Sequence, residues 1–296
     1  MTWLRRAAVL GVEGALVRIT PEDAGWQYSG IEVMDFAMTP TFTRTMSTTE
    51  GVLLPLSAQD VQVTLDDQDY LLTGREGVFA AVSDWLYVPL GSTVTVTATS
   101  GEIALCTARA SVARPAAYVR AQDVPVEVRG SGRATRQVTN IATPSSFEGA
   151  EKIIVCEVLT PGGNVSSWPP HRHDGIGDCP VQNEEIYYFR TGRLDSPHGS
   201  SEGQGQFRVY TVDGSVDETV TVFDGDVYLV PHGYHGPSAA PPEYPMYFLN
   251  VLAGPASDRT MAFCDDSSQH WIRASWEDQV QDPRCPMTSA TGRARG

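Results

Sequence analysis

Three histidines and one glutamate in the second half of the chain have the residue types and spacing of a metal site. His171 and His173 are separated by one residue, Glu185 opens a strand-like run, and His235 follows a tight turn. Side chains on a β-strand alternate between two faces, so His171 and His173 point to the same side. Imidazole nitrogens and carboxylate oxygens are common ligands of divalent zinc, manganese and iron. We therefore predict a divalent-metal site formed by His171, His173, Glu185 and His235.

The order of these residues resembles the two-part signature of the cupin barrels. In the first part Glu185 is followed by Gly192, and the second part is G-x5-P-x-G-x-H, ending at His235. Glu184 competes with Glu185 as the carboxylate ligand, and the E-x6-G spacing of the signature favours Glu185. A degenerate site that keeps hydrogen-bonded histidines without a metal is the alternative. The remaining histidines are expected to be bystanders: His198, His232 and His270.

Candidate substrate-binding and catalytic residues lie on neighbouring strand-like runs. Arg208 and Tyr210 share one face of a predicted strand. If that face lines a barrel, Arg208 could grip a carboxylate as a bidentate fork and Tyr210 could donate a hydrogen bond. A structural ion pair of Arg208 is the alternative. Strand parity also allows Glu157, a candidate base, to face a pocket, and the same holds for Tyr187 and Tyr247.

The pattern of apolar residues predicts an all-β protein with few helices. Short runs rich in β-branched residues alternate with Asp, Gly and Ser, and no segment keeps a 3.6-residue apolar period. Residues 84–93 align without gaps on residues 226–235, and both stretches keep the pattern D-x4-P-x-G. The chain therefore reads as two related β-barrels. Only the second can bind metal through imidazole, because all six histidines lie at or after position 171.

These observations suggest a division of the chain into three parts. We predict an N-terminal barrel without metal ligands at residues 1–118, a connector at 119–145, and a metal-binding barrel at 146–296. Residues 191–205 are rich in glycine and serine, which predicts a mobile surface loop within the second barrel.

Composition restricts the partners. The net charge of −15 argues against nucleic acid and anionic membranes, and no stretch is long and apolar enough to span a bilayer. A small anionic substrate would need a cationic pocket within this acidic protein. Whether the chain forms a homo-oligomer stays open.

The cysteines and the N-terminus favour a cytoplasmic protein. The five cysteines are odd in number and contain no CxxC pair, so we predict reduced thiols. Arg5 and Arg6 precede a short apolar run that imitates a signal peptide. Glu13 interrupts this run and no clear cleavage site follows, so an ordinary N-terminal strand is predicted.

Several segments resemble the 5-deoxy-glucuronate isomerases of inositol catabolism. These segments are Val128–Gly130, Ser166–Asp174, Glu184–Phe189, Arg208–Thr211, Val230–His235 and Tyr247–Pro255. The resemblance implies a bicupin of two jelly-roll barrels, with His171, His173, Glu185 and His235 as metal ligands. The related 5-keto-4-deoxyuronate isomerases share the fold and the metal set. The sequence departs from the family pattern at His232, before Arg208, in the loop 191–205 and at Gly175–Cys179.

The implied reaction converts 5-deoxy-D-glucuronate to 2-deoxy-5-keto-D-gluconate by a metal-assisted 1,2-proton shift. In this hypothesis Arg208 holds the distal carboxylate, and the base is Glu157, Tyr210 or a water on the metal. Two other classes remain: a cupin oxygenase using the same ligands, and a non-catalytic sugar-acid binder. A paralogue acting on another sugar acid or a specialised metabolite is a further alternative.

Overall fold

The structure, a computed structural model, describes residues 3–7, 14–193, 199 and 202–294. Regular structure in this part of the chain is nearly all β. The helices with described bounds are α1 (Pro21–Ala24), α2 (Trp271–Ala274) and a 3-10 helix (Ala121–Asp123). None of the described helices has the length and apolar character needed to cross a membrane. The prediction of an all-β protein with few helices is confirmed.

The N-terminal half contains a six-stranded and a four-stranded antiparallel sheet. The larger sheet has the order β11-β8-β5-β10-β3-β2, and the smaller has the order β4-β9-β6-β7. Their strands are β2 (Ala15–Ile19), β3 (Ser29–Asp35), β4 (Thr41–Thr45), β5 (Thr49–Pro55), β6 (Gln59–Leu65), β7 (Gln68–Gly74), β8 (Trp85–Val88), β9 (Thr93–Thr97), β10 (Glu102–Arg109) and β11 (Ala117–Val119).

The C-terminal half contains a seven-stranded and a six-stranded antiparallel sheet. The larger sheet has the order β1-β20-β17-β22-β14-β13-β12; the smaller has the path β19-β18-β21-β16-β23, and β15 pairs with β21. Their strands are β1 (Leu4–Arg5), β12 (Val126–Arg129), β13 (Arg136–Thr139), β14 (Ile154–Thr160), β15 (Val165–Ser166), β16 (His171–Arg172), β17 (Glu184–Thr191), β18 (Gln204–Tyr210), β19 (Asp217–Phe223), β20 (Val227–Val230), β21 (Tyr234–Ala239), β22 (Met246–Ala253) and β23 (Cys264–Asp265). The last two strands form a separate two-stranded antiparallel sheet: β24 (Thr288–Ser289) and β25 (Gly292–Arg293).

Three apolar cores follow from strand alternation. One fills the N-terminal barrel, where Leu53 packs with Leu86. A second fills the C-terminal barrel and includes Tyr187 and Phe189. The third joins residues of both halves, including Ile186. The larger sheets of the two halves therefore pack against each other. Their inner strands are buried on both faces: β5, β8, β14, β17, β20 and β22.

The internal repeat occupies matching places in the two halves. β8 and β20 each contain four buried residues, and each lies beside a central strand of its larger sheet. The aspartates that precede them, Asp84 and Asp226, are both buried and both accept backbone N–H groups. The N-terminal copy has Thr93 where the C-terminal copy has His235, and a cluster of buried apolar side chains fills the N-terminal barrel.

Two strand pairings depart from the expected division of the chain. β1, from the start of the chain, pairs with β20 of the C-terminal half. β12 and β13, within the predicted connector 119–145, extend the C-terminal sheet through β14. The connector therefore contains structural strands, and the boundaries 1–118, 119–145 and 146–296 stay a prediction.

The expectation that all cysteines are reduced thiols is wrong in this structure. Cys179 and Cys264 form a disulfide across 85 residues of sequence, with their Cα atoms 5.8 Å apart. Cys106, Cys156 and Cys285 are free. Sequence spacing gave no sign of this pair, because the two cysteines meet only through the pairing of β16 with β23.

Candidate metal centre and substrate pocket

Three strands of the C-terminal barrel bring the predicted ligands together. β16 pairs with β21, and His171 is the direct cross-strand partner of His235. His173 follows the end of β16, and Glu185 stands near the start of β17 in the facing sheet. His173, Glu185 and His235 are buried, at 6%, 5% and 0% exposure. The four side chains are thus contributed by both sheets of one barrel.

Three of these residues form a compact group. The Nε2 atom of His173 lies 2.9 Å from Oε2 of Glu185, and Nε2 of His235 lies 3.1 Å from the same oxygen. Each of His173, Glu185 and His235 offers one potential ligand atom, and these three atoms all lie within 4.8 Å of one another. His171 stands beside the group, with its ring centroid 4.6 Å from that of His235 and 6.4 Å from that of His173.

Backbone carbonyls orient all three imidazoles in the same way. The Nδ1 atoms of His171, His173 and His235 lie 3.2, 2.9 and 3.4 Å from the carbonyl oxygens of Pro169, Asn183 and Gly233. A carbonyl accepts a hydrogen bond, so Nδ1 carries the proton and Nε2 keeps its lone pair. Metal-binding histidines are held in this manner. The buried Nε2 of His235 has no aligned hydrogen bond within the described structure, and a cation would satisfy it.

Electrostatics favour the ligand protonation state at His171 and Glu185, whereas without a cation the Glu185 carboxylate favours protonation of His173. Burial, together with the imidazoles of His235 and His173, lowers the pKa of His171 to about 3. Burial opposes ionisation of Glu185, but contacts with His173 and His235 outweigh it and hold the pKa of this carboxyl well below its usual value. Burial also disfavours charge on His173, yet the Glu185 carboxylate raises its pKa. A neutral imidazole and an ionised carboxylate are ligand forms.

The two adjacent glutamates have different partners. The carboxylate of Glu184 accepts backbone N–H groups from Gln27, Tyr28 and Ser29 at 2.7 to 2.9 Å. These residues belong to the N-terminal half, so Glu184 ties the two halves together. Glu185 points the other way, to the histidines. The arrangement favours Glu185 as the carboxylate ligand, in line with the spacing argument.

A cavity of about 380 Å³ opens beside the histidine group. The polar side chains of His171 and Glu185 form part of its wall, and apolar side chains such as Trp168 and Phe248 form another part. Tyr187 also lines it, and burial followed by the Glu185 charge keeps the pKa of this phenol well above its usual value. The size is typical of a small-molecule site. A wider surface depression of about 990 Å³, near Gly132 and Arg284, contains none of the predicted site residues.

Three arginines that sequence reasoning did not assign a role line the same cavity: Arg129, Arg136 and Arg273. Arg129 and Arg136 are cross-strand partners on β12 and β13. Arg273 is in α2 and holds Asp265 through two hydrogen bonds of 2.5 and 2.7 Å. Only Arg129 stood within a segment of family resemblance, Val128–Gly130. The other two gave no signal, because Arg136 lies on a strand within the expected connector and Arg273 lies in the short helix α2, to which no role was assigned.

The structure contradicts the interpretation of Arg208 and Tyr210 as pocket residues. Their neighbours Phe207 and Val209 fill the barrel core, so Arg208 and Tyr210 lie on the outer face of β18. Arg208 forms an ion pair with Asp217 at 2.9 Å, which is the alternative left open from the sequence. The Tyr210 hydroxyl donates to Asp266. Neither residue lines the cavity.

Glu157 does not face the pocket, where the sequence interpretation placed it as a candidate base. It lies between the two halves, in a fully buried ion pair with Arg75, and it accepts a hydrogen bond of 2.8 Å from the Tyr247 hydroxyl. Tyr247 belongs to the core shared by the halves. Strand alternation was expected to turn Glu157, Tyr187 and Tyr247 toward the pocket. Tyr187 does line the cavity, whereas Glu157 and Tyr247 face the other half of the chain. An ionised group on that face has no access to a substrate held beside the histidines.

The other histidines are placed as follows. His232 lies in the turn between β20 and β21, with its ring edge-on to Trp3 at 6.4 Å. His270 is exposed and contacts Asp265 at 2.9 Å. His198 and most of the predicted loop 191–205 fall outside the described residues. The departing segment Gly175–Cys179 is anchored by the disulfide and by an ion pair of Asp178 with Arg172.

Sequence comparison finds relatives that span most of the chain. The sequence model described as the KduI/IolB family matches residues 3–272. The 5-deoxy-glucuronate isomerase of Geobacillus kaustophilus strain HTA426 is 39% identical over 267 residues, covering 89% of this chain and 92% of that protein. The 5-deoxy-glucuronate isomerase of Bacillus subtilis strain 168 is 34% identical over 261 residues, covering 86% of this chain and 91% of that protein.

Comparison with solved structures supports the same fold. The crystal structure of an IolB-like protein from Salmonella typhimurium LT2 has a TM-score of 0.81 and 34% identity, and the match covers 91% of this chain and 98% of that one. Bacillus subtilis oxalate decarboxylase, a protein with Mn(II) centres, has a TM-score of 0.59 at 13% identity, covering 88% and 78% of the two chains. The second likeness concerns the fold alone. The bicupin prediction is confirmed.

Proposed function

We propose, because the chain belongs to the KduI/IolB family, that it is a metal-dependent aldose–ketose isomerase of a uronic acid. The substrate in this proposal is 5-deoxy-D-glucuronate and the product is 2-deoxy-5-keto-D-gluconate. The relatives named 5-deoxy-glucuronate isomerase support the substrate. The observation that carries the proposal is the buried group of His173, Glu185 and His235, whose Glu185 lines a cavity together with His171 and three arginines.

The residues fit a divalent cation. His173, Glu185 and His235 would hold it with His171, whose Nε2 is left unprotonated by the carbonyl of Pro169. Ligand atoms bound to one ion at about 2.1 Å lie about 3 Å from each other, close to the distances from Glu185 to the two imidazoles. Zinc, manganese and iron are the metals proposed. When bound, such a cation supplies Lewis-acid stabilisation of negative charge developing on substrate oxygens.

The chain itself would orient the substrate and restrict proton transfer. The raised pKa of Tyr187 keeps its phenol protonated, so it can donate a hydrogen bond to a sugar oxygen; in the structure this hydroxyl lies 3.2 Å from the Ser167 hydroxyl. Trp168 and Phe248 would provide apolar wall against which the sugar carbons pack. Glu157 and Tyr210 lie outside the cavity, which leaves a solvent molecule as the remaining proton carrier of those predicted.

The proposal extends to the setting of the enzyme. The partner is a small anionic sugar acid, and we retain the cytoplasm as the proposed location. The disulfide between Cys179 and Cys264 is the observation that argues against a fully reduced protein there. A homo-oligomer stays a prediction.

The direct test is turnover in deuterated water. Purified protein loaded with Mn²⁺ or Zn²⁺ is incubated with 5-deoxy-D-glucuronate, and the product is followed by NMR. We expect the ketose, with deuterium at the carbon that receives the transferred hydrogen, formed at the same rate without oxygen. Oxygen consumed in proportion to product would identify an oxygenase instead. Thermal stabilisation by the substrate without product would identify a non-catalytic binder.

A further inference from the structure

We propose that Arg136, flanked by Arg129 and Arg273, binds the carboxylate of the sugar-acid substrate in the cavity beside the histidine group. The proposal assigns to this cluster of half-buried arginines the role that the sequence suggested for Arg208. It rests on the proposed function for the identity of the substrate. The recognition chemistry, a planar guanidinium facing a carboxylate, stands on the structure itself.

Arg136 is the member of the cluster that lacks a counterion. Arg129 pairs with Glu127 at 2.6 Å, and Arg273 pairs with Asp265. Among the described residues, no carboxylate forms an ion pair with Arg136. Its Nη1 donates a hydrogen bond of 3.0 Å to the carbonyl oxygen of Ala134, and its Cζ lies 5.7 Å from the ring centroid of Trp276. A guanidinium has five N–H donors, so several remain to bind a ligand.

The placement of Arg136 is unfavourable unless an anion is bound. Arg129 and Arg136 stand directly opposite each other in the pairing of β12 with β13, and like charges at such positions destabilise a sheet. Burial, and then the charges of Arg129 and Arg273, lower the pKa of Arg136 to about 10. A bound carboxylate would relieve both the repulsion and the loss of hydration.

The backbone leaves room for this arginine. Gly130 has φ +75°, and a Cβ atom added there would lie 2.6 Å from Nη1 of Arg136 and 2.2 Å from the carbonyl oxygen of Ala134. The turn between β12 and β13 therefore needs glycine both for its left-handed conformation and for the guanidinium packed against it. The guanidinium of Arg136 thus packs against the backbone of this turn at the cavity wall.

The charge of the whole molecule strengthens the argument. The chain has a net charge of −15 and only 21 lysines and arginines in 296 residues. Three of these cations meet at one cavity, where they provide the cationic pocket that an anionic substrate needs in such a protein. A uronate has its carbonyl carbon and its carboxylate at opposite ends. Arg136 would hold the carboxylate end, while the histidine group receives the reacting end.

Two sugars that differ at the carboxylate test this assignment. Binding of D-glucuronate and of neutral D-glucose is measured by calorimetry for the wild type, Arg136→Met, Arg136→Lys and Arg208→Met. Hydrogen bonds to charged groups contribute about 2 kcal/mol, a factor of about 30 in affinity. We expect Arg136→Met to lose about 30-fold in affinity for D-glucuronate and little for D-glucose. Arg136→Lys should lose less, and Arg208→Met should match the wild type.

Stability of the ligand-free protein separates a binding role from a structural one. Removing an uncompensated cation should leave the melting temperature of Arg136→Met equal to or above that of the wild type, with its bound metal retained. A structural role predicts a lower melting temperature. Equal D-glucuronate affinity in Arg136→Met and wild type would overturn the assignment, and so would a wild type that binds D-glucuronate no better than D-glucose. Because binding is measured without turnover, failure of the isomerase assay leaves this result readable.

Discussion

Glu184 and Glu185 follow each other in the chain, and the pleat of β17 turns them to opposite faces of the sheet. Glu184 binds three backbone N–H groups of the N-terminal half. Glu185 contacts two imidazoles inside the barrel. A shift of one residue in the register of β17 would therefore exchange the two roles, placing Glu184 inside the barrel and Glu185 against the N-terminal half.

Substitution of each glutamate by glutamine should separate these roles. Glu185→Gln removes the ionised oxygen from the histidine group, so we expect metal affinity to fall at least ~100-fold, the upper range for loss of a residue that merely supports a ligand. Metal content after dialysis against a chelator measures this. Glu184→Gln is the matched control and should keep its metal, while losing about 1–3 kcal/mol of unfolding free energy. Loss of metal from Glu184→Gln alone would reverse the assignment.

At the scale of residues, the placement of a side chain can be predicted only where motif spacing or strand alternation is visible in the sequence. Glu185 followed from the spacing of the cupin signature. For Arg208, the apolar neighbours Phe207 and Val209 indicate which face of β18 is inside, and alternation then places Arg208 on the outer face. Glu157 lies on β14, where every residue from Ile154 to Thr160 is buried. Because both faces of this strand are covered, its sequence carries no sign of which face meets the pocket.

At the scale of elements, the segment most poorly predicted is the one that completes the pocket. β12 and β13 are short strands that flank a glycine-rich turn, and both lie within the segment expected to be a connector. They are instead added to the edge of the large C-terminal sheet beyond β14. Pairing with a strand far along the chain decides this, and local composition does not report it.

The disulfide is the second element-scale feature, and it joins two walls of the site. Cys179 lies in the segment between His173 and Glu185, while Cys264 follows Phe263, whose ring is 4.7 Å from that of His171. The link therefore restrains the segment carrying Phe263 against the loop between two proposed ligands.

Removing this link should destabilise the fold. A disulfide that closes so long a loop contributes about 2–4 kcal/mol, chiefly by restricting the unfolded chain. We expect Cys179→Ser to lose that amount in urea unfolding under non-reducing conditions, and Cys285→Ser, which alters a free cysteine, to serve as control. Unchanged stability, together with five titratable thiols in the unfolded wild type, would show that the bond is absent.

At the scale of the whole molecule, the halves are joined through the faces of their larger sheets. The apolar core between them contains a buried ion pair of Arg75 with Glu157, and Tyr247 donates to the same carboxylate. Burial disfavours the charge on Arg75, but the charge of Glu157 outweighs this and raises its pKa. The internal repeat was enough to predict two barrels. It contained no information on which sheets would meet, because the contact surface is not part of the repeated stretch.

Breaking this ion pair on one side should cost more than removing both partners. Arg75→Met leaves Glu157 buried without its counterion, and we expect a loss of about 3–5 kcal/mol in unfolding free energy. The double variant Arg75→Met/Glu157→Gln should recover part of that loss, since no uncompensated charge remains. Chemical denaturation of both variants measures the difference. If the losses of unfolding free energy from Arg75→Met and from Glu157→Gln simply add in the double variant, the two residues do not interact and the pairing is ruled out.

The account depends on a single divalent cation held inside the C-terminal barrel. Its most direct test is an anomalous difference map from crystals grown with Mn²⁺ or Zn²⁺. We predict one peak per chain, within about 2.0–2.3 Å of a nitrogen from each of His171, His173 and His235 and of an oxygen from Glu185. A metal-saturated protein whose peak lies elsewhere, or a cavity without any peak, would contradict it.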